Sequence, residues 1–356
     1  MSLPVGHERA AVSPRHVRVG VIGYGYWGPK HVRVLRGIPG VSVHVADHDP
    51  ARRALAVRAF PELPVHSSID ALLAEVDAVV IALPVSLHHP AGLAALQAGK
   101  HVLVEKPLAL TVSDSEALIE AAAEAKRTLM VGHTFEYNAG MWRLRELIDS
   151  GALGDLCYID AARLNLGLYR SDINVVWDLA PHDVSILNYL LGKTPESVAA
   201  WGRANGPSAH EDVAYLCLQY ADPDVSAYVR VSWLDPCKVR RVTVVGRDKM
   251  VVCNDLSASE RVRIYDVGVQ HPSSEAPEAM PMVYHHGDIV TPFVPFEEPL
   301  AVQDEHFIEC IRTGARPRTD GASGLEVVRV LEAASESLKL QRPVHIRSMR
   351  PVRRIA

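Results

Sequence analysis

Short, nearly unbroken apolar runs alternate with amphipathic stretches over the first third of the chain. They then give way to segments in which apolar and polar residues alternate one by one. The first pattern begins at Val17 (V-R-V-G-V-I) and recurs at V-S-V-H-V-A, Asp77–Leu83, His101–Glu105 and Thr128–Gly132. Such runs predict parallel strands buried on both faces. Between them Ala51–Phe60, Ile69–Glu75 capped by Ser68, His89–Ala98 closing at Gly99, and Val112–Ala125 predict helices. Strands alternating with helices imply right-handed crossovers, hence an α/β Rossmann domain with a doubly wound parallel sheet. After a helix over Asn138–Ser150, consecutive strands are predicted at Leu156–Leu164, Val198–Gly202, Val213–Tyr220, Ser226–Trp233, Arg240–Val245 and Met250–Asn254. One helix, Leu179–Leu191, interrupts them. Its start is set by Pro181, which belongs in a first helical turn. This half reads as an α+β domain with a large, mostly antiparallel open sheet. Residues 266–299 are proline-rich and read as a surface excursion; Gln303–Arg312 and Gly324–Leu340 read as helices packing back. The expected boundaries are a flexible lead at 1–16, a Rossmann domain at 17–134, a substrate-binding and oligomerisation domain at 135–348, and a tail at 349–356.

Composition narrows the class. At 356 residues the chain is too long for one ordinary core. Its 48% hydrophobic and 22% charged residues suit a globular protein, and a net charge of −5 with no dense basic run argues against nucleic-acid or membrane partners. Arg347, Arg350, Arg353 and Arg354 read as a solvated tail. No apolar run approaches the ~20 residues of a membrane span, and the N-terminus lacks the hydrophobic region of a signal peptide. Five dispersed cysteines (Cys157, Cys217, Cys237, Cys253, Cys310) without a C-x-x-C suit buried free thiols in a reducing cytosol, so a cytoplasmic location is expected.

The chemistry starts at the first strand. Gly23, Gly25 and Gly28 form a G-x-G-x-x-G between that strand and a helix, and Asp47 ends the second strand nineteen residues beyond Gly28. Gly23 permits the tight turn, Gly25 lets a pyrophosphate approach the backbone, and Gly28 lets the helix pack closely. Asp47 can hydrogen-bond a ribose and would repel a 2′-phosphate, so NAD is the expected cofactor. Tyr26 and Trp27 in the turn, Leu83 and Pro84 at a strand end, and His88 and Glu105 complete its expected lining. Glu105-Lys106-Pro107 ends another strand on the same edge. Lys106 there reads either as a surface lysine or as a group aimed at the nicotinamide. In Trp177-Asp178-Leu179-Ala180-Pro181-His182, Asp178 falls near the helix cap and His182 in the first turn. They read either as a cap and a half-buried histidine, or as an orienting acid and a base kept neutral by the helix dipole. Arg163, Asn165 and Arg170 suit hydroxyl or phosphate recognition, or a solvated loop. His285, His286 and Asp288 lack any supporting motif, so no metal is expected.

Together V-I-G-Y-G-Y-W-G-P-K, A-G-K-H-V-L-V-E-K-P-L and W-D-L-A-P-H-D resemble the Gfo/Idh/MocA family over most of residues 17–340. V-G-H-T-F-E-Y-N, R-L-N-L-G-L-Y-R-S-D-I-N and E-H-F-I-E-C-I-R-T-G are similar to its sugar 3-dehydrogenase branch. That branch includes the UDP-N-acetylglucosamine and UDP-N-acetylglucosaminuronate 3-dehydrogenases and antibiotic-pathway 3-ketosugar reductases. The resemblance implies that Lys106 and His182, with Asp178, are catalytic, and that Arg163, Asn165 and Arg170 face substrate. It implies NAD-dependent oxidation of a sugar hydroxyl at C3 and a homodimer or homotetramer. Ketosugar reduction, and a glycosidase working through transient C3 oxidation, are the alternatives. Lys30 stands where close relatives carry Asn.

Overall fold

The computed structural model describes residues 16–167, 169–206, 209–221, 224–270 and 283–346. The first unit strings together β1 (Val17–Ile22), α1 (Gly28–Arg36), β2 (Val41–Ala46), α2 (Pro50–Ala59), β3 (Val65–His66), α3 (Ile69–Leu73), β4 (Ala78–Ile81), α4 (His88–Gln97), β5 (His101–Glu105), α5 (Val112–Ala125) and β6 (Leu129–Gly132). The strands lie in the order β3-β2-β1-β4-β5-β6, every pair parallel. Strand order reverses between β1 and β4, and the crevice beyond the carboxyl ends there is where open α/β sheets bind ligands. Local chemistry agrees with the pattern: Ser68 and Thr111 cap α3 and α5 through their hydroxyls, as N-caps should.

The second unit contains α6 (Ala139–Asp149), β7 (Leu156–Leu166), α7 (Val175–Leu191), β8 (Ser197–Arg203), β9 (Val213–Tyr220), β10 (Val225–Ser232), β11 (Leu234–Gly246), β12 (Met250–Asn254), β13 (Val262–Gln270), β14 (Val283–Val290), α8 (Pro299–Thr313), α9 (Gly321–Leu340) and β15 (Val344–His345). Its sheet runs β14-β13-β12-β11-β7-β10-β9-β8-β15, antiparallel throughout except where β10 meets β7. One face is covered by α6, α7 and α9 and holds the core of Ile159, Leu216, Val229, Trp233 and Val244.

Three expectations need correction. The helix carrying His182 begins at Val175, capped by the side chain of Asn174, and Pro181 lies inside it. The Asn174 cap and the apolar pair Val175-Val176, both fully buried, outweigh the proline's preference for a first turn. The excursion expected at 266–299 is largely sheet: β13 continues through Gln270, and β14 pairs with it. Its half-exposed, glycine- and histidine-containing strands carry too little apolar alternation to announce themselves, and residues 271–282 lie outside the described residues. Of the cysteines, all free, only Cys253 and Cys310 are buried; Cys157 and Cys237 are exposed. The expected tail and all but one residue of the lead also lie outside the described residues.

The last helices return to the first sheet. Phe307, Ile308 and Ile311 of α8 join Val19, Val32, Leu35 and Val80 in one core. Thr319 then hydrogen-bonds the Val131 backbone from both ends: its carbonyl accepts from the Val131 amide (2.7 Å) and its hydroxyl donates to the Val131 carbonyl (2.7 Å). The first core is thus closed by residues at both ends of the chain. Replacing the fully buried Phe307 by Ala should lower unfolding free energy by about 3–5 kcal/mol in denaturant titrations. A loss near zero would mean that α8 does not belong to that core.

Candidate active site

The glycine turn has the shape of a dinucleotide cradle. Gly23 has φ +96°, and a Cβ there would lie 2.7 Å from the Ala82 carbonyl oxygen; a Cβ on Gly28 would lie 2.1 Å from the Gly23 oxygen. Gly25 faces space in which only the Arg52 guanidinium comes within 3.7 Å. No side chain caps α1; Pro29 has no amide and Lys30 donates its own to the Trp27 carbonyl (2.9 Å), so the amide that the helix start leaves for an anion is that of Gly28, beside the glycine turn. Asp47 stands at the end of β2, its carboxylate accepting from the amides of Tyr24 (2.7 Å) and Asp49 (2.9 Å). These features fit NAD: amides and open space at the pyrophosphate position, an oriented carboxylate at the ribose.

Lys106 follows β5 and is nearly buried. Its ammonium donates to the Asp178 carbonyl (2.5 Å) and lies 3.7 Å from the Asp178 carboxylate. Pro181 lies inside the helix three residues after Asp178 and withholds an amide from the Trp177 carbonyl. Asp178 is therefore no cap. Its Oδ2 accepts from Trp233 Nε1 (3.0 Å), and its Oδ1 lies 3.6 Å from Arg170. Burial lowers the Lys106 pKa, helped by Arg163 and Arg170 and opposed by Asp178 and Glu105.

His182 is held well below its ordinary pKa, by burial first and then by Lys106, Arg163, His133 and Arg240. It lies two turns into α7, so the helix-dipole account of its neutrality is replaced by burial and neighbouring cations. Its ring packs edge-on against Phe135 with centroids 5.0 Å apart, and its Nδ1 is buried without a hydrogen-bond partner among the described residues. The two candidate groups open onto adjoining spaces. Lys106 lines a cavity of about 90 Å³ with Leu83, His88, Arg170 and Asp178, and His182 lines a cleft of about 470 Å³ with Tyr26, Arg163 and Asn165. Trp27 and Glu105 border both.

Other expected residues are brought there in altered roles. His88 is fully buried, its ring nitrogens facing the carbonyls of Pro107 (2.8 Å) and Leu83 (2.9 Å), so its polar atoms face the protein interior. Arg163 reaches the cleft wall, but Asp183 takes its Nε (3.0 Å) and Nη2 (2.9 Å). Arg170 pairs with Asp172 through the same two nitrogens. Lys30 lies over the rings of Tyr26 (3.2 Å) and Trp27 (4.3 Å). His285, on β14, stands 3.6 Å from Asp266.

The pattern reading missed a buried ionic bridge. His31, on α1, is fully buried between Asp304 of α8 (Nδ1 to Oδ2, 2.9 Å) and Glu105 (Nε2 to Oε1, 3.0 Å). Burial alone would lower the His31 pKa, but the two carboxylates raise it to about 10. It also missed His133, fully buried at the end of β6 with both ring nitrogens unpartnered among the described residues and its pKa pushed to about 4 by burial. The available signal was polarity on apolar faces: His31 among the valines of α1, Asp304 beside Phe307, His133 on the strand edge.

Residues 17–133 match the model of an oxidoreductase family with an NAD-binding Rossmann fold, Gfo/Idh/MocA, and residues 141–252 match the C-terminal domain of the same family. UDP-N-acetylglucosamine 3-dehydrogenase of Acidithiobacillus ferrooxidans is 38% identical over 195 residues, 53% of this chain; the match spans 59% of that protein's own length. A solved structure of that enzyme superposes with TM-score 0.77 at 27% identity, over 91% of this chain and 98% of the other. GenD2 from gentamicin A biosynthesis, solved in complex with NAD, superposes with TM-score 0.79 at 25% identity, over 98% and 100%.

The buried bridge makes stability depend on pH. Folded His31 keeps a proton up to about pH 10, whereas the unfolded imidazole releases its proton near 6.5. The native state therefore binds more protons in that window, and stability falls as pH rises through it. Glu136, pushed up to about 8 by burial, adds to the same fall between 4.5 and 8. The denaturation midpoint should decline from pH 6.5 to 10, and less steeply in Asp304→Asn. Equal slopes would mean that His31 is not the proton holder.

Proposed function

Because the chain belongs to the Gfo/Idh/MocA oxidoreductase family, we propose that it is an NAD-dependent dehydrogenase that oxidises the C3 hydroxyl of a nucleotide-linked sugar to a ketone. The observation that carries this reading is the juxtaposition of Lys106 and His182. Both are partly buried beside Trp27 and Glu105, at the sheet edge where the glycine turn presents its amides. NAD would supply the hydride acceptor. The side chains handle the proton and the charge. His182 enters neutral, and its ring, on the cleft wall, accepts the hydroxyl proton. Lys106 is held against Asp178, and its ammonium stabilises the oxyanion as it forms. The cations that hold His182 neutral at rest also stabilise that oxyanion, so proton transfer becomes favourable as negative charge develops on the substrate. Orientation supplies much of the rest.

Charge supports a nucleotide-linked substrate over an aminoglycoside. Lys30, Lys238, Arg163 and Arg240 line the cleft with Glu105, Asp255 and Glu298. Each of those acids has its own cation: Glu105 bonds His31, Asp255 lies 3.6 Å from Arg240, and Glu298 pairs with Arg33. Lys30 and Lys238 have no carboxylate partner among the described residues, which favours a diphosphate and disfavours a polycation. The exposed rings of Tyr26 and Phe296 offer surfaces for a base.

The open face of the second sheet suits a second copy of this chain. It carries exposed Tyr158, Trp201, Tyr215 and Tyr228, the last three lining a groove of about 520 Å³, and its Arg230 lies 3.4 Å from its own Asp160. An aromatic face with its charges internally matched can pair with itself. Free cysteines, and the lack among the described residues of a helix long and apolar enough to cross a membrane, accord with a cytoplasmic location.

NADH absorbance should rise with NAD and UDP-N-acetylglucosamine or its uronate, and stay flat with an unphosphorylated aminoglycoside. Signal only with the aminoglycoside would overturn the nucleotide-linked substrate. Lys106→Ala and His182→Ala should each cut kcat by about 10²-fold or more while NAD affinity stays within about twofold; near-normal turnover in both would remove them from the chemistry. Asp47→Ala should weaken NAD about tenfold, ~1.4 kcal/mol, and ease the penalty against NADP. An unchanged cofactor preference would remove Asp47 from that role. Light scattering should give more than one copy per particle, reduced by Tyr228→Asp; a monomeric wild type would sink the self-pairing.

A further inference from the structure

We infer that His31 is a positioning residue for the catalytic lysine: Asp304 fixes the His31 ring, the ring fixes the Glu105 carboxylate, and that carboxylate fixes the Lys106 backbone. The inference rests on the reading of Lys106 as catalytic. The links run without a gap. Asp304 lies 2.9 Å from Nδ1 of His31, Nε2 lies 3.0 Å from Glu105 Oε1, and Glu105 Oε2 accepts from the Lys106 amide at 3.2 Å. All three side chains are buried, and the Glu105 carboxyl is wedged so tightly against Gly132 that a Cβ there would stand 3.3 Å from it.

The arrangement solves a particular problem. Glu105 adjoins Lys106, and a free glutamate has the reach to form a direct ion pair with the neighbouring ammonium. Such a pair would draw the ammonium away from Asp178 and from the substrate. The other titratable groups facing Glu105 are His88 and His133, and burial holds both below the usual histidine pKa, so neither supplies a cation. His31 does. Clamped by Asp304, it can donate from both ring nitrogens and keeps the Glu105 carboxylate turned away from the Lys106 ammonium. Asp304 comes from α8, so the far end of the chain sets the aim of a side chain on β5's edge. A misplacement of about 1 Å at a reacting group can cost about 10²-fold in rate.

Lysines carrying ¹³C-methyl labels report Lys106 without substrate or cofactor, and Lys106→Arg identifies its signal. In His31→Ala and in the shape-conserving Asp304→Asn, the Lys106 signal should shift, or its titration midpoint should move by about half a pH unit or more. A Lys106 signal that superimposes on wild type in folded Asp304→Asn overturns the inference, whether or not His31→Ala folds. Turnover with NAD and UDP-N-acetylglucosamine supplies a second readout. His31→Ala should lower kcat about tenfold or more with KM nearly unchanged, and should add nothing in a Lys106→Ala background. An equal further loss there would mark His31 as merely structural and overturn the inference. If Lys106→Ala itself kept full turnover, the catalytic reading of Lys106 would fail, while the label titration would still decide the bridge.

Discussion

A buried carboxylate must have its charge met, and Glu105 is one placed at the sheet edge that carries the candidate site. The fold meets it with His31 from one side and the Lys106 amide from the other, and holds His31 in turn with Asp304. Much of the architecture follows from that requirement. Helix α1 must begin at the glycine turn for His31 to point inward, and α8 must return from the far side of the second sheet to deliver Asp304. The same α1 therefore serves two electrostatic tasks: its amino end is open to an anion, and its buried face carries a cation.

The electrostatics of the cleft are divided in the same way. Carboxylates are matched one by one with cations: Glu105 with His31, Asp183 with Arg163, Asp172 with Arg170. What remains unmatched is positive, Lys30 and Lys238 on the wall and the partly compensated Lys106 at depth. Lys106 adds to the burial that keeps His182 neutral at rest, while the wall lysines suit a negatively charged substrate.

Legibility in the sequence followed how local each cause was. The parallel strands, the glycine turn, Asp47 and the cap at Ser68 rest on residues adjacent in the chain, and all stand where the pattern placed them. The start of α7 was misplaced because Pro181 was weighed by local preference alone, while the decisive facts were the Asn174 cap and the burial of Val175 and Val176. Strands β13 and β14 were missed because β14 is an edge strand and its neighbour β13 is largely half-exposed, so neither needs much apolar alternation. The bridge was least legible. His31, Glu105 and Asp304 are separated by 74 and 273 residues from one end or the other of their hydrogen bonds, and no spacing rule connects them.

The placement of Phe307, Ile308 and Ile311 in the first core bears on the order in which the protein can be made. During synthesis the parallel sheet and α1 emerge early, but the apolar face that α8 covers has no cover until more than 300 residues have been joined. A ribosome-bound chain ending before Pro299 carries a nucleotide-binding sheet with an exposed greasy flank and a glutamate–histidine pair missing its clamp. The nascent domain, although translated first, is consequently completed only after α8 has emerged.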